Sequence, residues 1–254
     1  MSQYPLIPVI LSGGAGTRLW PVSREANPKP FIQLPDGESL LHKTFLRVVD
    51  IPQIAEIMTV TNREYYFRTK DEYSDINHPN AANMKLSYIL EPEGRNTAPA
   101  IGMAALSLKE RYKDDAIMLV MPADHLIHDQ DAFLRALDTA ISIASEGKMV
   151  AFGIRPQAPE TGYGYIEIES DTLNVATNVV RFVEKPDFET AKRYVEDGHH
   201  VWNSGMFCFK AGVFLDQLAH CDPELFEQVT HCWQVSQTKK ENTLTLNKKT
   251  IFFN

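Results

Sequence analysis

The sequence predicts an α/β protein: a Rossmann-like, doubly wound, mostly parallel sheet carrying an inserted antiparallel region. Three observations carry this expectation. Short apolar runs in the first half alternate with stretches of helical periodicity, the pattern of strand–helix–strand units. The first run feeds straight into a glycine-rich loop, and sheets of this kind bind ligands at the carboxyl ends of their strands. Beyond about residue 156 the pattern changes to alternating strands around a polar turn, the mark of antiparallel pairing.

Taken in order, Leu6–Leu11 is a strand and Leu40–Val49 a helix with 3.6-residue apolar spacing. Strands follow at Ile57–Thr61 and Leu86–Leu90. Thr97–Tyr112 is Ala-rich and helical, with Ile101, Ala104, Ala105 and Leu108 on one face. Ile117–Met121 is a strand. Asp131–Ser145 is a helix with Phe133, Leu137, Ile141 and Ala144 on one face. Met149–Ile154 is the fifth strand. Most of these runs are apolar enough for a parallel sheet covered on both faces. In the second half, Gly162–Glu169 and Val175–Glu184 read as strands, Phe188–Asp197 as a short helix, Val201–Lys210 as a strand and Ala211–Ala219 as a helix. Thr238–Asn254 is polar, then abruptly apolar at Ile251-Phe-Phe, with no helical pattern. Within one unit spanning 1–254, the expected halves are about 1–155 and about 156–235.

A chain of 254 residues, 44% hydrophobic, can bury a substantial core as one large or two small domains. Its net charge of −8 argues against nucleic acid binding driven by bulk charge. Ser12–Gln33 runs the other way: Arg18, Arg24 and Lys29 against Glu25 leave a net +2. A locally basic loop on an acidic protein points to a small anionic ligand. Cys208, Cys221 and Cys232 are odd in number and form no CxxC, so they read as reduced thiols in a cytoplasmic protein. No signal-peptide pattern opens the chain and no run of about 18 apolar residues occurs, which argues against secretion and membrane spanning.

The loop Leu11-Ser-Gly-Gly-Ala-Gly-Thr-Arg-Leu-Trp-Pro21, followed by Asn27-Pro-Lys-Pro-Phe31, suits a triphosphate. Backbone N–H groups of Ser12, Gly13, Gly14, Gly16 and Thr17 can approach phosphate oxygens where side chains are absent. Arg18 and Lys29 can offset charge that develops in phosphoryl chemistry. The loop is not a dinucleotide fingerprint, because Leu19 stands where the third glycine is required. Nor is it a Walker A loop, because Gly16 is followed by Thr17 and Arg18 rather than by Lys. Pro21, Pro28 and Pro30 forbid a long helix after it, leaving at most one turn around Ala15–Trp20. The plainer alternative is a tight turn with a surface arginine.

Met121-Pro-Ala-Asp124-His125 follows a strand, so Asp124 is placed to hold Mg²⁺, which takes one or two carboxylates beside phosphate oxygens. The alternative for Asp124 is a helix N-cap. His125 reads as structural. In Glu91-Pro-Glu-Gly-Arg-Asn-Thr-Ala-Pro99, Thr97 can cap the following helix with Pro99 in its first turn. Glu91 could accept two hydrogen bonds from the N1–H and N2 amino group of guanine, whereas uracil or thymine offers one donor on that edge. Glu184-Lys185-Pro186 suits a sugar phosphate, or else is an exposed charged turn. Tyr163 and Gly164 offer backbone for close ligand approach. Asn203 could bond hydroxyls while Gly205 clears space, the alternative being an ordinary turn. No G-x-S-x-G, Cys/His pair, H-E-x-x-H or CxxC suggests a protein nucleophile or zinc.

In this order the motifs resemble the sugar-nucleotide pyrophosphorylases. The carrying residues are Leu11–Pro21, Pro28-Lys29, Gly94-Arg-Asn-Thr-Ala-Pro-Ala-Ile101, Pro122-Ala-Asp-His125, Thr161-Gly-Tyr-Gly-Tyr-Ile166, Phe182-Val-Glu-Lys-Pro186 and Trp202-Asn-Ser-Gly-Met-Phe207. Trp20 and Gly94–Pro99 favour the guanylyl branch, the bacterial mannose-1-phosphate guanylyltransferases often fused to a phosphomannose isomerase domain. The resemblance implies the nucleotide-diphospho-sugar transferase fold. It also implies a reaction in which GTP and α-D-mannose 1-phosphate give GDP-mannose and pyrophosphate by in-line attack at the α-phosphorus.

The expected nucleotide-binding residues are Leu11, Ser12–Arg18, Lys29, Glu91, Arg95, Asn96, Thr97 and Asp124, of which the resemblance implies Ser12–Arg18, Lys29 and Asp124. Arg18, Lys29 and Asp124 are the catalytic set, with Asp124 on Mg²⁺. Tyr163, Gly164, Glu184, Lys185, Asn203 and Gly205 take the sugar phosphate. The resemblance admits a homodimer. A uridylyl- or thymidylyltransferase, or a nucleotide-binding module without catalysis, remain the competing readings; a Rossmann oxidoreductase is disfavoured by Leu19. Two departures stand out. Pro30 replaces the usual Gln of Pro-Lys-Gln-Phe. The Trp-Ser-Asp-x-Gly segment that supplies relatives with a second metal carboxylate has no match, Asp222 lacking that context, so the chain reads as C-terminally truncated.

Overall fold

The computed structural model describes residues 4–13, 27–92, 96–113, 116–170, 175–236, 238–240 and 243–246. Among them the strands are β1 (Leu6–Ser12), β2 (Ile57–Asn62), β3 (Leu86–Glu91), β4 (Ile117–Pro122), β5 (Val150–Ile154), β6 (Tyr165–Ile168), β7 (Val179–Val183), β8 (His200–Lys210), β9 (Thr238–Lys240) and β10 (Thr243–Thr245). The helices are α1 (Leu40–Val49), α2 (Tyr66–Ser74), α3 (Thr97–Tyr112), α4 (Gln130–Ser145), α5 (Phe188–Asp197), α6 (Ala211–Cys221) and α7 (Pro223–Val235). A single 3-10 turn at Lys29–Phe31 lies ahead of α1, and another at Arg63–Tyr65 leads into α2.

One mixed sheet runs through the described residues in the order β7-β6-β8-β4-β1-β2-β3-β10-β9, with β5 paired to β8 off this path. Its centre, β4-β1-β2-β3, is parallel. Side chains alternate between two buried layers because successive residues of a strand face opposite ways. Leu6 and Ile10 of β1, with Ile117, Leu119 and Met121 of β4, pack with Leu41, Phe45 and Val48 of α1 and Phe133, Leu137 and Ile141 of α4. Ile7, Val9, Met118 and Val120 pack on the other face with Ile101, Ala104 and Leu108 of α3, Phe214 and Leu215 of α6, and Val229 and Cys232 of α7. Each fully buried Leu, Ile, Val or Phe stabilises such a core by about 1.5–3 kcal/mol.

Helix ends follow local chemistry. Ser39, Asp129, Asp187 and Asp222 each accept a bond from a backbone N–H in the first turn of α1, α4, α5 and α7. Two expectations need correction. Val150–Ile154 does not join the parallel layer but pairs antiparallel with β8; Gly153 and Ile154 are exposed, so its apolar run is not covered on both faces. Thr97 does not cap α3: it is the first helical residue, and Asn96 occupies the cap position without a side-chain bond. Trp202–Gly205 lies inside β8, in keeping with the strand expected at Val201–Lys210, and the alternative of an ordinary turn falls away. Helix α7, strand β10 and helix α2 had not been anticipated; β10 extends the sheet by pairing parallel with β3.

Candidate functional site

The parallel centre brings three strand ends to one edge. Ser12 ends β1, Pro122 ends β4 and Glu91 ends β3, with Leu11 opposite Pro122 and Asn62 opposite Glu91. Strand β8 runs antiparallel to β4, with Val120 opposite Phe207. Its early residues, Asn203 to Gly205, therefore reach the same edge as the carboxyl end of β4. A cavity of about 490 Å³ opens there, where Leu11, Thr97, Pro122, Asn203, Gly205 and Phe207 meet. Gly205 has φ +69°, and a side chain there would lie 3.5 Å from Cγ of Pro122. The side-chain oxygen of Asn203 accepts from the Gly205 N–H at 2.9 Å.

Lys29 and Asp124, separated by most of the first half of the chain, meet at this edge with Nζ 2.9 Å from Oδ2. Both side chains are about a third exposed, so the pair faces solvent where a ligand can displace it. The 3-10 turn aims Lys29. The Phe31 N–H donates to the Pro28 carbonyl at 3.0 Å, and Phe31 is buried. Arg68 of α2 stacks over the Phe31 ring, its guanidinium carbon 4.3 Å from the centroid, and donates to the Asn27 side chain at 2.7 Å. Pro30 suits this turn, since its fixed φ matches and an N–H early in a helix has no internal partner. Asp124 is not an N-cap; Asp129 caps α4 instead. Burial lowers the pKa of the His125 ring.

Glu91 is 8% exposed, and burial raises its carboxyl pKa to about 7. It packs against the first residue of the glycine loop: a side chain on Gly13 would place its Cβ 2.6 Å from Glu91 Oε2. The sugar-phosphate candidates lie on the β6–β8 side. The Asn203 N–H donates to the Gly164 carbonyl at 2.8 Å. A Cβ on Gly164 would lie 3.1 Å from Glu184 Oε2 and 3.6 Å from Asn203 Cβ, so Gly164, Glu184 and Asn203 form one cluster. Tyr163 is half exposed and sits edge-on to Trp202 at 5.2 Å. Lys185 has φ +42° and donates to the Glu184 carboxylate, so each group of that pair is neutralised by its neighbour. Gly14, Gly16, Thr17, Arg18 and Arg95, with Trp20 and the turn expected at Ala15–Trp20, lie outside the described residues, as does Ile251-Phe-Phe.

Sequence reasoning had not singled out Arg47, Arg68 or the aromatic wall of the cavity, Phe207, Phe209 and Phe214. Among the described residues no cluster of three or more His, Cys, Asp or Glu side chains could hold a metal by itself. No helix among the described residues is long and apolar enough to cross a membrane.

A mixed sheet with a basic residue and a carboxylate paired at its strand ends is a place where an anionic ligand can bind. Residues 7–246 match the nucleotidyl transferase family, to which the chain belongs. It is 44% identical over 229 residues to the xanthan biosynthesis protein XanB of Xanthomonas campestris, covering 90% of this chain and 47% of that one. It is 45% identical over 225 residues to a mannose-1-phosphate guanylyltransferase of Klebsiella pneumoniae, covering 87% and 46%. Among solved structures, a Helicobacter pylori protein described as a mannose-6-phosphate isomerase superposes with a TM-score of 0.81 at 30% identity, covering 97% of this chain and 87% of that one. The chain spans about half the length of the curated relatives it matches.

Proposed function

We propose that this chain joins GTP to mannose 1-phosphate, forming GDP-mannose and releasing pyrophosphate. The observation that carries this reading is the Lys29–Asp124 pair at the carboxyl edge of the sheet, 2.9 Å apart and accessible. A phosphate oxygen of the sugar phosphate attacks the α-phosphorus; the bond from that phosphorus to the bridging oxygen breaks, and pyrophosphate leaves. Such chemistry needs positioning and charge stabilisation rather than a protein nucleophile.

In this reading Lys29, with Arg18, neutralises the triphosphate. Asp124 holds Mg²⁺; a lone accessible carboxylate beside phosphate oxygens suits that ion's preference for hard oxygen ligands. When bound, Mg²⁺ supplies further neutralisation of the phosphates. Glu91 reads guanine through two acceptor oxygens, beside the loop of Leu11, Ser12 and Gly13 and near Asn96 and Thr97. Tyr163, Gly164, Glu184, Asn203 and Gly205 receive the mannose, and Lys185 its phosphate once released from Glu184. The nucleotide half is about 1–155 and the sugar half about 156–235. The same reading places the protein in the cytoplasm and admits a homodimer.

The test is direct. The chain is mixed with mannose 1-phosphate and Mg²⁺, and with GTP, UTP or dTTP, and pyrophosphate is measured. Release with GTP well above the other two is expected. Preference for UTP or dTTP overturns the guanine assignment. Nucleotide binding by calorimetry with no turnover, in this chain and in one extended beyond Asn254, favours a binding module instead; turnover restored by the extension supports the truncation reading.

A further inference from the structure

Arg47 stands in the last turn of α1, is 5% exposed, and takes no part in the chemistry proposed above. Among the described residues no carboxylate pairs with it. Burial lowers its pKa to about 10, so it remains charged at neutral pH. A buried charge without a counter-ion is costly, so its contacts merit a reason. Its Nη2 donates to the His125 carbonyl at 2.7 Å, while Nη1 is buried without a hydrogen-bond partner. Its guanidinium carbon lies 5.9 Å from the centroid of Phe133 in α4. Its own carbonyl accepts from Gln130 Nε2 at 2.7 Å.

One residue thus ties α1, α4 and the turn after β4 together. That turn carries Asp124 between two anchors. On one side the Ala123 N–H donates to the Leu11 carbonyl at 3.0 Å; on the other the His125 carbonyl is held by Arg47.

We propose that Arg47 is a positioning residue, which fixes the turn at His125 and so aims Asp124 at Lys29. This rests on the role given to Asp124 above. A plain packing strut would affect stability and turnover together. A positioning residue separates them. Replacing a lone buried charge with an apolar side chain of similar volume relieves its desolvation, even though one carbonyl loses a partner.

The experiment compares Arg47→Met and Arg47→Lys in the full chain. Arg47→Met should keep its unfolding midpoint, lose about tenfold or more in kcat, as small misplacements of reacting groups do, and leave KM for GTP little changed. The Mg²⁺ concentration giving half-maximal rate should rise. Arg47→Lys, which keeps the charge and a donor, should recover part of the rate. In an Asp124→Asn background, Arg47→Met should cost nothing more. Independently of turnover, amide hydrogen exchange across residues 123–127 should quicken in Arg47→Met while β4 and α1 keep their protection. Unchanged exchange in that turn overturns the proposal, as does parallel loss of stability and rate that Lys does not relieve. If Asp124→Asn leaves turnover intact, the metal-holding reading of Asp124 fails, and the exchange result alone decides whether Arg47 fixes the turn.

Discussion

Gly13 and Glu91 are so close that a Cβ on the glycine would lie 2.6 Å from the Glu91 carboxylate oxygen. The first glycine of the loop therefore leaves the room that the acid at the end of β3 occupies. Gly13→Ala should push the Glu91 carboxylate aside, because the far end of that side chain yields more easily than backbone. The expected outcome is a small change in unfolding midpoint with a lower kcat/KM for GTP and weaker discrimination against UTP. A full loss of folding, read by circular dichroism, would contradict this.

Glu91 also gives stability a pH dependence. Its folded pKa of about 7 lies above the ordinary 4.5. Between those values the folded chain holds a proton that the unfolded chain has released. Stability from this residue is therefore present at low pH and declines as pH rises toward about 7. Denaturant titrations over that window should show the decline, and Glu91→Gln should flatten it. If ionised Glu91 reads guanine, KM for GTP should fall as pH rises through about 7, and Glu91→Gln should relax the choice among GTP, ATP and UTP.

The Lys29–Asp124 pair should matter to rate far more than to folding. With both side chains about a third exposed, the pair contributes about 0–1 kcal/mol to stability. Lys29→Ala should nonetheless cost about a hundredfold or more in kcat if, as proposed, its charge acts on the transition state. Asp124→Asn should raise the Mg²⁺ requirement. A rise in KM alone after Lys29→Ala would remove it from the catalytic set.

Gly205, at φ +69° inside β8, sits where only glycine is unstrained. Gly205→Ala should destabilise the fold by about 1–2 kcal/mol through backbone strain, since the space beside Pro122 is ordinary van der Waals contact. Chemical denaturation checks the magnitude. Because the cavity is lined by Gly205 and Asn203, KM for the sugar phosphate should rise as well.

Much of the frame was legible because the signals are local. The apolar runs of β1 to β4 and the periodicity of α1, α3 and α5 mark their bounds to within a residue. Helix α2 was not legible: in Tyr66–Ser74 only Thr69 and Tyr73 are buried, so no apolar face shows. Helix α7 did carry a signal, Asp222-Pro223-Glu224, an N-cap followed by proline at the first helical position. For Arg47 a hint exists in its spacing from Leu40 and Thr44 on the buried face of α1, yet nothing local names the His125 carbonyl as its partner.

The sequence by itself determined the fold class, the glycine loop, and the residue types that phosphoryl and sugar chemistry need, because strand and helix periodicity and motif chemistry act over a few residues. Only the tertiary structure decided who meets whom. Parallel register places Ser12, Glu91 and Asp124 on one edge, and the antiparallel run of β8 carries Asn203 and Gly205 back to it. The pairing of Lys29 with Asp124, the packing of Glu91 into the space left by Gly13, and the hold of Arg47 on the Asp124 turn join distant segments. They arise from sheet order and two-sided packing, which no short stretch of chain encodes.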